Sequence, residues 1–317
     1  HALWRLGTAP HLGWDEGWTL MVARTWVERG HYGRLLGGLP VPARLSALFP
    51  VAASVALGFR VFGVTVWSGR VMIVLYTLGS LVLLYDLARR LYNRRIATGA
   101  LAVALLMSVS PDIHPLLVGR QVLAETPMLF FLLAGYVCLF VTLQRSAWFM
   151  PLTLVFWGVA LSTKEQPVPF WAASLVVPFL IVLFEHRWKA ARVLAIGLVG
   201  SLGAKNLLTW LWKLLVVRDP TPRHPIPGLT STTAVVPIAS VRWTALTVAL
   251  TIGLPTVLGL CHAAWNGVDE LRRGDSPDTG RDVVRWAGLV LAASGLCAYV
   301  LLSIGWVRYL FPATFVG

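Results

Sequence analysis

The stretch Arg89-Arg90-Leu91-Tyr92-Asn93-Arg94-Arg95 decides the fold of this chain, because it places four arginines between two apolar runs, residues 66–88 and 96–110. Such runs approach or exceed the ~20 residues with which an α-helix crosses a bilayer core. We therefore expect an all-α, polytopic transmembrane helical bundle of about eight helices. The other six apolar runs are residues 126–143, 148–162, 167–184, 193–217, 241–265 and 286–304.

Basic loops set the expected orientation of the bundle. Lys and Arg are enriched in cytoplasmic loops, so the loop at residues 89–95 is placed in the cytoplasm. Two further basic loops, residues 185–192 and 266–285, fall on the same side when the eight runs are counted as alternating spans. The sequence thus predicts a multi-pass protein of the plasma (inner) membrane whose candidate site faces outside the cytoplasm.

Charge and composition limit the classes of function. The chain carries 27 Lys and Arg against 14 Asp and Glu, and 57% of its residues are hydrophobic. The positive charge fits a positive-inside bias, binding of anionic lipid headgroups, or binding of nucleic acid. The cations are scattered through short loops rather than gathered on one soluble domain, so we expect no nucleic-acid partner.

Residues 1–65 are predicted to form a first loop at the outer membrane face, and residues 66–317 the bundle. In the loop, a helix over residues 16–29 would end at Gly30, with Asp15 as its N-cap. Residues 46–62 are apolar but are interrupted by Pro50, Gly58 and Arg60. We expect this segment to lie along the interface, since a span here would separate the two acidic sites described next. The chain starts at His1, and we expect a fragment that lacks material at both ends.

Three acidic residues are the catalytic candidates: Asp15, Glu16 and Glu125. Adjacent carboxylates stand out in a chain with few acids, and acidic groups that share a membrane face suit acid/base catalysis. A structural explanation remains open for each of them. Asp15 and Glu16 could simply cap a helix, and Glu125 could favour the start of the helix that follows it.

Cations on the same predicted face are candidates for binding phosphate, because Arg forks onto phosphate oxygens and Lys acts as a point charge. Lys164 could instead pair locally with Glu165. Lys205 lies inside an apolar run, which leaves open a transporter or flippase for an anionic lipid-linked substrate. The chain has no nucleotide-binding or metal-binding motif. The phosphate-side candidates are Arg44, Lys164, Arg223 and Arg308 with Tyr309.

The order of these features resembles the polyprenyl-phosphate-dependent glycosyltransferases of the GT-C fold, and in particular the bacterial protein O-mannosyltransferase and aminoarabinose-transferase group. The resemblance runs from about Leu12 to the C-terminus. It rests on Asp15-Glu16 with Gly30-His31-Tyr32-Gly33, Phe62-Gly63 with Ser68-Gly69-Arg70, the basic stretch from Leu87 to Arg95, Glu125-Thr126-Pro127, Gly158 to Lys164, and Arg308-Tyr309 to Pro312.

The resemblance implies transfer of a sugar from a polyprenyl-phosphate donor to a protein, lipid or polysaccharide acceptor, with inversion at the anomeric carbon. Asp15 would be the general base. Glu16 and Glu125 would orient substrate, or hold a divalent cation if the reaction uses one. The chain departs from the family in having Glu125 where Asp is frequent, and Arg44 near a position where Lys or His is frequent. A non-catalytic assembly partner on the same scaffold remains an alternative.

Overall fold

A computed structural model describes residues 3–43, 49–106, 110–217, 239–273, 279–302 and 307–316. Within these ranges the chain is almost entirely helical, which confirms the predicted fold class. The helices are α1 (Trp14–Arg29), α2 (Phe49–Phe62), α3 (Val66–Leu91), α4 (Arg94–Leu106), α5 (Pro115–Val118), α6 (Glu125–Gln144), α7 (Met150–Thr163), α8 (Val168–Phe184), α9 (Trp188–Trp212), α10 (Ala239–Thr251), α11 (Leu254–Arg273), α12 (Thr279–Leu302) and α13 (Phe311–Val316). Short 3₁₀ turns lie at Pro111–Ile113, Ala147–Phe149 and Val307–Leu310, and one π turn lies at Lys213–Val217.

Helix α1 ends where the sequence predicts but begins differently. Gly30 adopts a left-handed conformation with φ 67° and closes the helix, as glycine commonly does after a last turn. The predicted N-cap role of Asp15 is wrong: Gly13 is the cap, and Asp15 lies in the first turn. Its carboxylate is therefore free for longer-range contacts, while it still benefits from the positive end of the helix dipole.

A small hairpin, which the sequence analysis did not predict, follows α1. Strands β1 (Arg34–Leu36) and β2 (Leu39–Val41) pair in antiparallel fashion. The two residues between them, Gly37 and Gly38, have φ values of 58° and 84°. A two-residue turn with positive φ at both positions matches the twist of a hairpin, and glycine adopts it without strain.

Helix α2 covers most of the segment at residues 46–62 that was predicted to be the second interfacial helix. Its 14 residues rise about 21 Å at 1.5 Å per residue, less than the ~30 Å of a hydrocarbon core. Val55 and Phe59 are buried in one cluster with Leu20 of α1 and Ile73 of α3. The packing holds α2 against α1 and α3, and its position along the membrane interface stays a prediction.

Four helices within the described ranges are long and apolar enough to cross a membrane: α3, α6, α9 with its π turn, and α12. Helices α2, α7 and α8 are apolar but shorter, and the count of eight spans stays a prediction. The run predicted as one span at residues 241–265 consists of two helices, α10 and α11, which are bent by 72° at a short break. Together they have the length and composition of one broken span, so the crossing at this run stays a prediction. Pro255 cannot donate a backbone hydrogen bond into the preceding turn, which explains why a new helix begins here.

Helices α6 and α7 form the centre of the bundle. Gly135 leaves room for the indole of Trp157, since a Cβ at that glycine would lie 2.3 Å from the ring. The Trp157 indole N–H donates to the carbonyl of Leu132 at 3.2 Å, and Trp171 packs against the same ring. This contact fixes how α6 packs against α7. It thereby also fixes the position of the first residue of α6 relative to the last residue of α7.

Contacts at the two ends of the bundle agree with the predicted alternation. At the end that we call the basic end, the Arg285 guanidinium lies 4.7 Å from the ring centroid of Tyr92, joining the first and third basic segments. At the opposite end, which we call the site end, α3 and α6 begin and α7 and α12 end. There Trp212, at the end of α9, packs against Trp26 of α1 and stacks on Phe49 of α2. The first loop therefore meets five bundle helices at the site end: α3, α6, α7, α9 and α12.

Candidate active site

Asp15 and Arg308 join the first and last parts of the site end. An Arg308 Nη2 donates to the Asp15 carboxylate at 2.5 Å. The side chains are 29% and 22% exposed, so the pair is accessible from one side. The sequence predicts that both residues share a face, and the structure brings them into direct contact across 293 positions.

Glu125 and Lys164 form a second and deeper ion pair. Glu125 is the first residue of α6, and Lys164 follows the last residue of α7. The Lys164 Nζ lies 2.6 Å from the Glu125 carboxylate, and both side chains are at least nine-tenths buried. Lys164 therefore pairs with Glu125. The alternative of a local pair with its neighbour Glu165 is wrong.

Arg308 and Tyr309 connect the two ion pairs. The Arg308 Nε lies 4.0 Å from the Glu125 carboxylate. The Tyr309 ring lies 4.4 Å from the Lys164 Nζ and 5.4 Å from the Arg308 guanidinium carbon, within the range of cation–π attraction. Two carboxylates and two cations thus form one continuous cluster, called here the charged cluster: Asp15, Glu125, Lys164 and Arg308, with Tyr309.

The electrostatics of the cluster keep Arg308 protonated. Burial alone lowers the pKa of this guanidinium, but the Glu125 charge and the hydrogen bonds to Asp15 and Tyr309 outweigh it and raise the pKa above its ordinary value. Arginine then carries its positive charge at any physiological pH. The cluster therefore offers a permanent cation with one hydrogen-bonding edge directed at a partly exposed carboxylate.

An open cleft of about 640 Å³ lies beside the charged cluster. Ligand sites in proteins commonly enclose ~300–1,000 Å³. A much smaller pocket of about 10 Å³, bounded by Glu125, Lys164 and Tyr309, lies next to it and has space for roughly one water. The cleft is lined by Gly13, Trp14, Asp15, Glu16, Asp112, Gln121, Leu123, Val307 and Arg308.

Glu16 occupies a different place from the one expected of a catalytic group. Its two carboxylate oxygens each accept from Arg70 at 2.7 Å, and one of them also accepts the backbone N–H of Val122 at 3.0 Å. Both side chains of this pair are 1% exposed. Because protein groups already occupy the carboxylate, Glu16 positions α1 against α3 and the segment before α6, and a direct part in chemistry does not fit this geometry.

Arg70 is the residue that the sequence analysis undervalued. In addition to Glu16, it donates to the backbone carbonyls of Leu6 and Pro10, both at 2.9 Å. Arg120 holds the same N-terminal segment through the carbonyls of Trp4 and Ala9. An arginine within an apolar helix was the available signal, since ionisable groups there are costly unless they are paired.

Three residues singled out from the sequence remain to be placed: Arg44, Arg223 and Lys205. Arg44 and Arg223 lie outside the described residues. Lys205 lies 3.9 Å from Glu165, so the lysine suggested for a transporter has a carboxylate neighbour. Within the described ranges, no group of three His, Cys, Asp or Glu side chains is arranged to hold a metal ion.

These features define a polytopic helical membrane protein with a cluster of charged residues beside an open cleft at one end of the bundle. The sequence model of the dolichyl-phosphate-mannose-protein mannosyltransferase family matches residues 49–210. The chain belongs to this family, and the predicted resemblance is confirmed. A comparison with curated protein sequences finds no match.

Two solved structures have the same fold. ArnT from Cupriavidus metallidurans in the apo state superposes with a TM-score of 0.66 at 17% identity. The form bound to undecaprenyl phosphate superposes with a TM-score of 0.65 at 18% identity. The match covers 99% of this chain but 56% and 57% of those chains, so this chain spans somewhat more than half of their length. The likeness confirms a GT-C fold.

Proposed function

We propose that the protein is an inverting glycosyltransferase that moves a sugar from a polyprenyl-phosphate donor to an acceptor at the extracytoplasmic face. The observation that carries the proposal is the charged cluster, in which Asp15, Glu125, Lys164 and Arg308 meet beside an open cleft. Family membership supports the class of reaction, and the form of ArnT bound to undecaprenyl phosphate supports a polyprenyl-phosphate donor.

The two cations of the cluster bind the donor phosphate. Arg308 presents a guanidinium fork at the cleft wall, and Lys164 adds a point charge behind it. In the reaction the bond between the anomeric carbon and the phosphate oxygen breaks, and its electron pair goes to the phosphate. Fixed cations at this position stabilise the charge that develops on the leaving group.

Asp15 acts as the general base. An acceptor hydroxyl attacks the anomeric carbon opposite the phosphate, a carbon–oxygen bond forms, and the hydroxyl proton goes to the Asp15 carboxylate. Arg308 holds this carboxylate before the donor binds. We infer that the donor phosphate takes over the Arg308 fork and frees Asp15, so that the base becomes available only when the leaving group is in place. Attack from the opposite side inverts the anomeric configuration.

Glu125 and Glu16 have positioning roles in this scheme. Glu125 holds the Lys164 ammonium at 2.6 Å and so fixes where the phosphate is bound. Glu16 anchors the turn that carries Asp15 through Arg70. Every step described here uses side chains of the chain itself, and none is assigned to a divalent cation.

The membrane arrangement is part of the proposal. The basic end faces the cytoplasm by the positive-inside rule, and the site end faces outward. Helix α2 then lies along the outer interface, consistent with its length and with its packing on α1 and α3. The membrane is the plasma (inner) membrane, and the acceptor is a protein, a lipid or a polysaccharide.

The test is transfer from a labelled polyprenyl-phosphate sugar by the full-length protein in lipid nanodiscs, with Asp15→Asn as the variant. Loss of a general base lowers the rate by roughly 10²–10⁴-fold. Glu28→Gln is the matched control, because Glu28 lies on the same helix in an exposed pair with Arg24 and should leave the rate unchanged. Wild-type transfer by the Asp15→Asn protein would remove Asp15 as the base, and the absence of transfer by the wild type would overturn the function.

A further inference from the structure

We infer that Trp14, Asp112 and Gln121 form the subsite that holds the glycosyl residue of the donor. The inference rests on the proposed function and adds to it the residues that recognise the sugar. All three side chains line the 640 Å³ cleft, beside Asp15 and Arg308. They come from separate segments: the first turn of α1, the 3₁₀ turn Pro111–Ile113, and the segment before α6.

The cleft lies where the reacting sugar must sit. Arg308, on the phosphate side, and Asp15, on the side of the base, both line it. The 3₁₀ turn that carries Asp112 packs against the 3₁₀ turn that carries Arg308. A sugar whose anomeric carbon is bonded to the bound phosphate would therefore extend towards Trp14 and Asp112.

Trp14 supplies an apolar face to the cleft. Its side chain is 75% exposed, as are several indoles of this chain, and its place in the cleft lining sets it apart from the others. Trp18, one turn later, supports it at a ring-centroid distance of 5.3 Å and an interplanar angle of 48°. A supported but uncovered indole suits the C–H face of a pyranose, which is the apolar side of an otherwise polar ligand.

Asp112 and Gln121 supply hydrogen-bonding groups that have no side-chain partner among the described residues. Within the described part of the chain, neither the Asp112 carboxylate nor the Gln121 amide has a side-chain hydrogen bond or ion pair. The Asp112 backbone N–H donates to the Ser110 hydroxyl at 3.3 Å, which orients the turn without using the carboxylate. Asp112 can accept from sugar hydroxyls, and Gln121 can both donate and accept.

This pairing of an indole with free polar groups differs from the rest of the site end. There the charged side chains are bonded to one another, as in the pairs of Asp15 with Arg308 and Glu125 with Lys164. Free polar groups beside an exposed ring leave hydrogen-bonding capacity for a neutral polyhydroxy ligand. Such groups also give selectivity, because a ligand that lacks the matching hydroxyl leaves them unpaired.

The experiment measures binding of two lipids to the full-length protein in nanodiscs: undecaprenyl phosphate and undecaprenyl-phosphate mannose. The mannosyl lipid is chosen because the family is described by mannose transfer. The wild type should bind the mannosyl lipid more tightly than the bare phosphate. Trp14→Ala and Asp112→Asn should each reduce that preference by roughly tenfold and leave bare-phosphate binding unchanged, and Gln121→Ala should reduce it less, since a neutral hydrogen bond is weaker.

Trp148→Ala is the control, because Trp148 is 88% exposed in the 3₁₀ turn before α7 and is absent from the cleft lining. The control protein should keep the full preference. Equal binding of the two lipids by the wild type, or variants that weaken both lipids equally, would overturn the subsite. Wild-type protein that binds neither lipid would instead overturn the proposed function, so the two failures are distinguishable.

Discussion

Asp15 and Glu16 are neighbours in sequence, yet their carboxylates serve two regions that differ in how fully their charges are satisfied. Glu16 borders the same cleft but belongs to a closed region, because Arg70 and the Val122 N–H occupy both of its oxygens and its side chain is 1% exposed. Asp15 belongs to an open region, where one Arg308 nitrogen holds it beside a cleft. A helix places adjacent side chains about 100° apart, so one turn of α1 serves both regions.

The difference shows which ion pairs can change partners. Arg70 donates to two carboxylate oxygens and two backbone carbonyls, so breaking one contact leaves buried groups unsatisfied. Such a pair is costly to break and fixes structure. Arg308 is 22% exposed and lies near two carboxylates, and under the proposed function the donor phosphate replaces one of them. We expect the closed pair to govern stability and the open pair to govern turnover.

The largest effect is expected for Arg70→Met, which leaves Glu16 buried without its cation. Removing one partner of a buried pair costs about 3–5 kcal/mol. The free energy of unfolding in nanodiscs should fall by that amount, and the double variant Arg70→Met with Glu16→Leu should be more stable than the single one. Arg24→Met, in the exposed pair with Glu28, is the control and should change stability by less than about 1 kcal/mol. Equal small losses in both proteins would contradict the contrast.

Arg308→Lys tests the open region while keeping its charge. Lysine lacks the planar fork, so phosphate binding and the contact with Asp15 cannot form in the same geometry. We expect kcat/KM for the polyprenyl-phosphate donor to fall by roughly 10²-fold, with the unfolding transition unchanged. A large loss of stability with normal turnover per folded molecule would contradict this, because Arg308 would then behave like Arg70 of the closed region.

The smallest effect concerns Tyr309, whose ring lies near both cations of the charged cluster. Tyr309→Phe keeps the ring, whereas Tyr309→Leu removes the cation–π attraction, which is worth about 0.5–2 kcal/mol. Both variants lose the hydrogen bond to Arg308, so the leucine variant should lose roughly 2- to 30-fold more donor affinity than the phenylalanine variant. Equal losses in both variants would assign the effect to the hydroxyl instead of the ring.

Sequence patterns predicted the parts of this molecule that depend on local chemistry. Apolar runs predicted α3, α6 and α9, and Gly30 predicted the end of α1, because hydrophobic length and a left-handed cap act within a few residues. They also placed Asp15, Lys164 and Arg308 on one face. They did not show which cation pairs with which acid, since this depends on packing between helices far apart in sequence.

The partner of Glu16 and the break within residues 241–265 are features that such patterns do not show. Nothing local distinguishes Glu16 from Asp15, because the distinction comes from Arg70, which is 54 positions away. Hydropathy predicts one continuous apolar span over residues 241–265, but it does not show the 72° bend of the chain before Pro255. Pro255 indicates a break in the helix, but the mean hydropathy of the whole run does not show it.

Asp15→Asn and Glu16→Gln, compared for both single-turnover transfer and thermal unfolding, test the central claim most directly. Each variant replaces a carboxylate by an amide of similar shape at adjacent positions of α1. We predict that Asp15→Asn slows transfer by about 10²–10⁴-fold and leaves the unfolding temperature near that of the wild type. Glu16→Gln should lower the unfolding temperature markedly, because Arg70 loses its buried counter-charge. Wild-type transfer by Asp15→Asn, or an unchanged unfolding temperature for Glu16→Gln, would contradict the account.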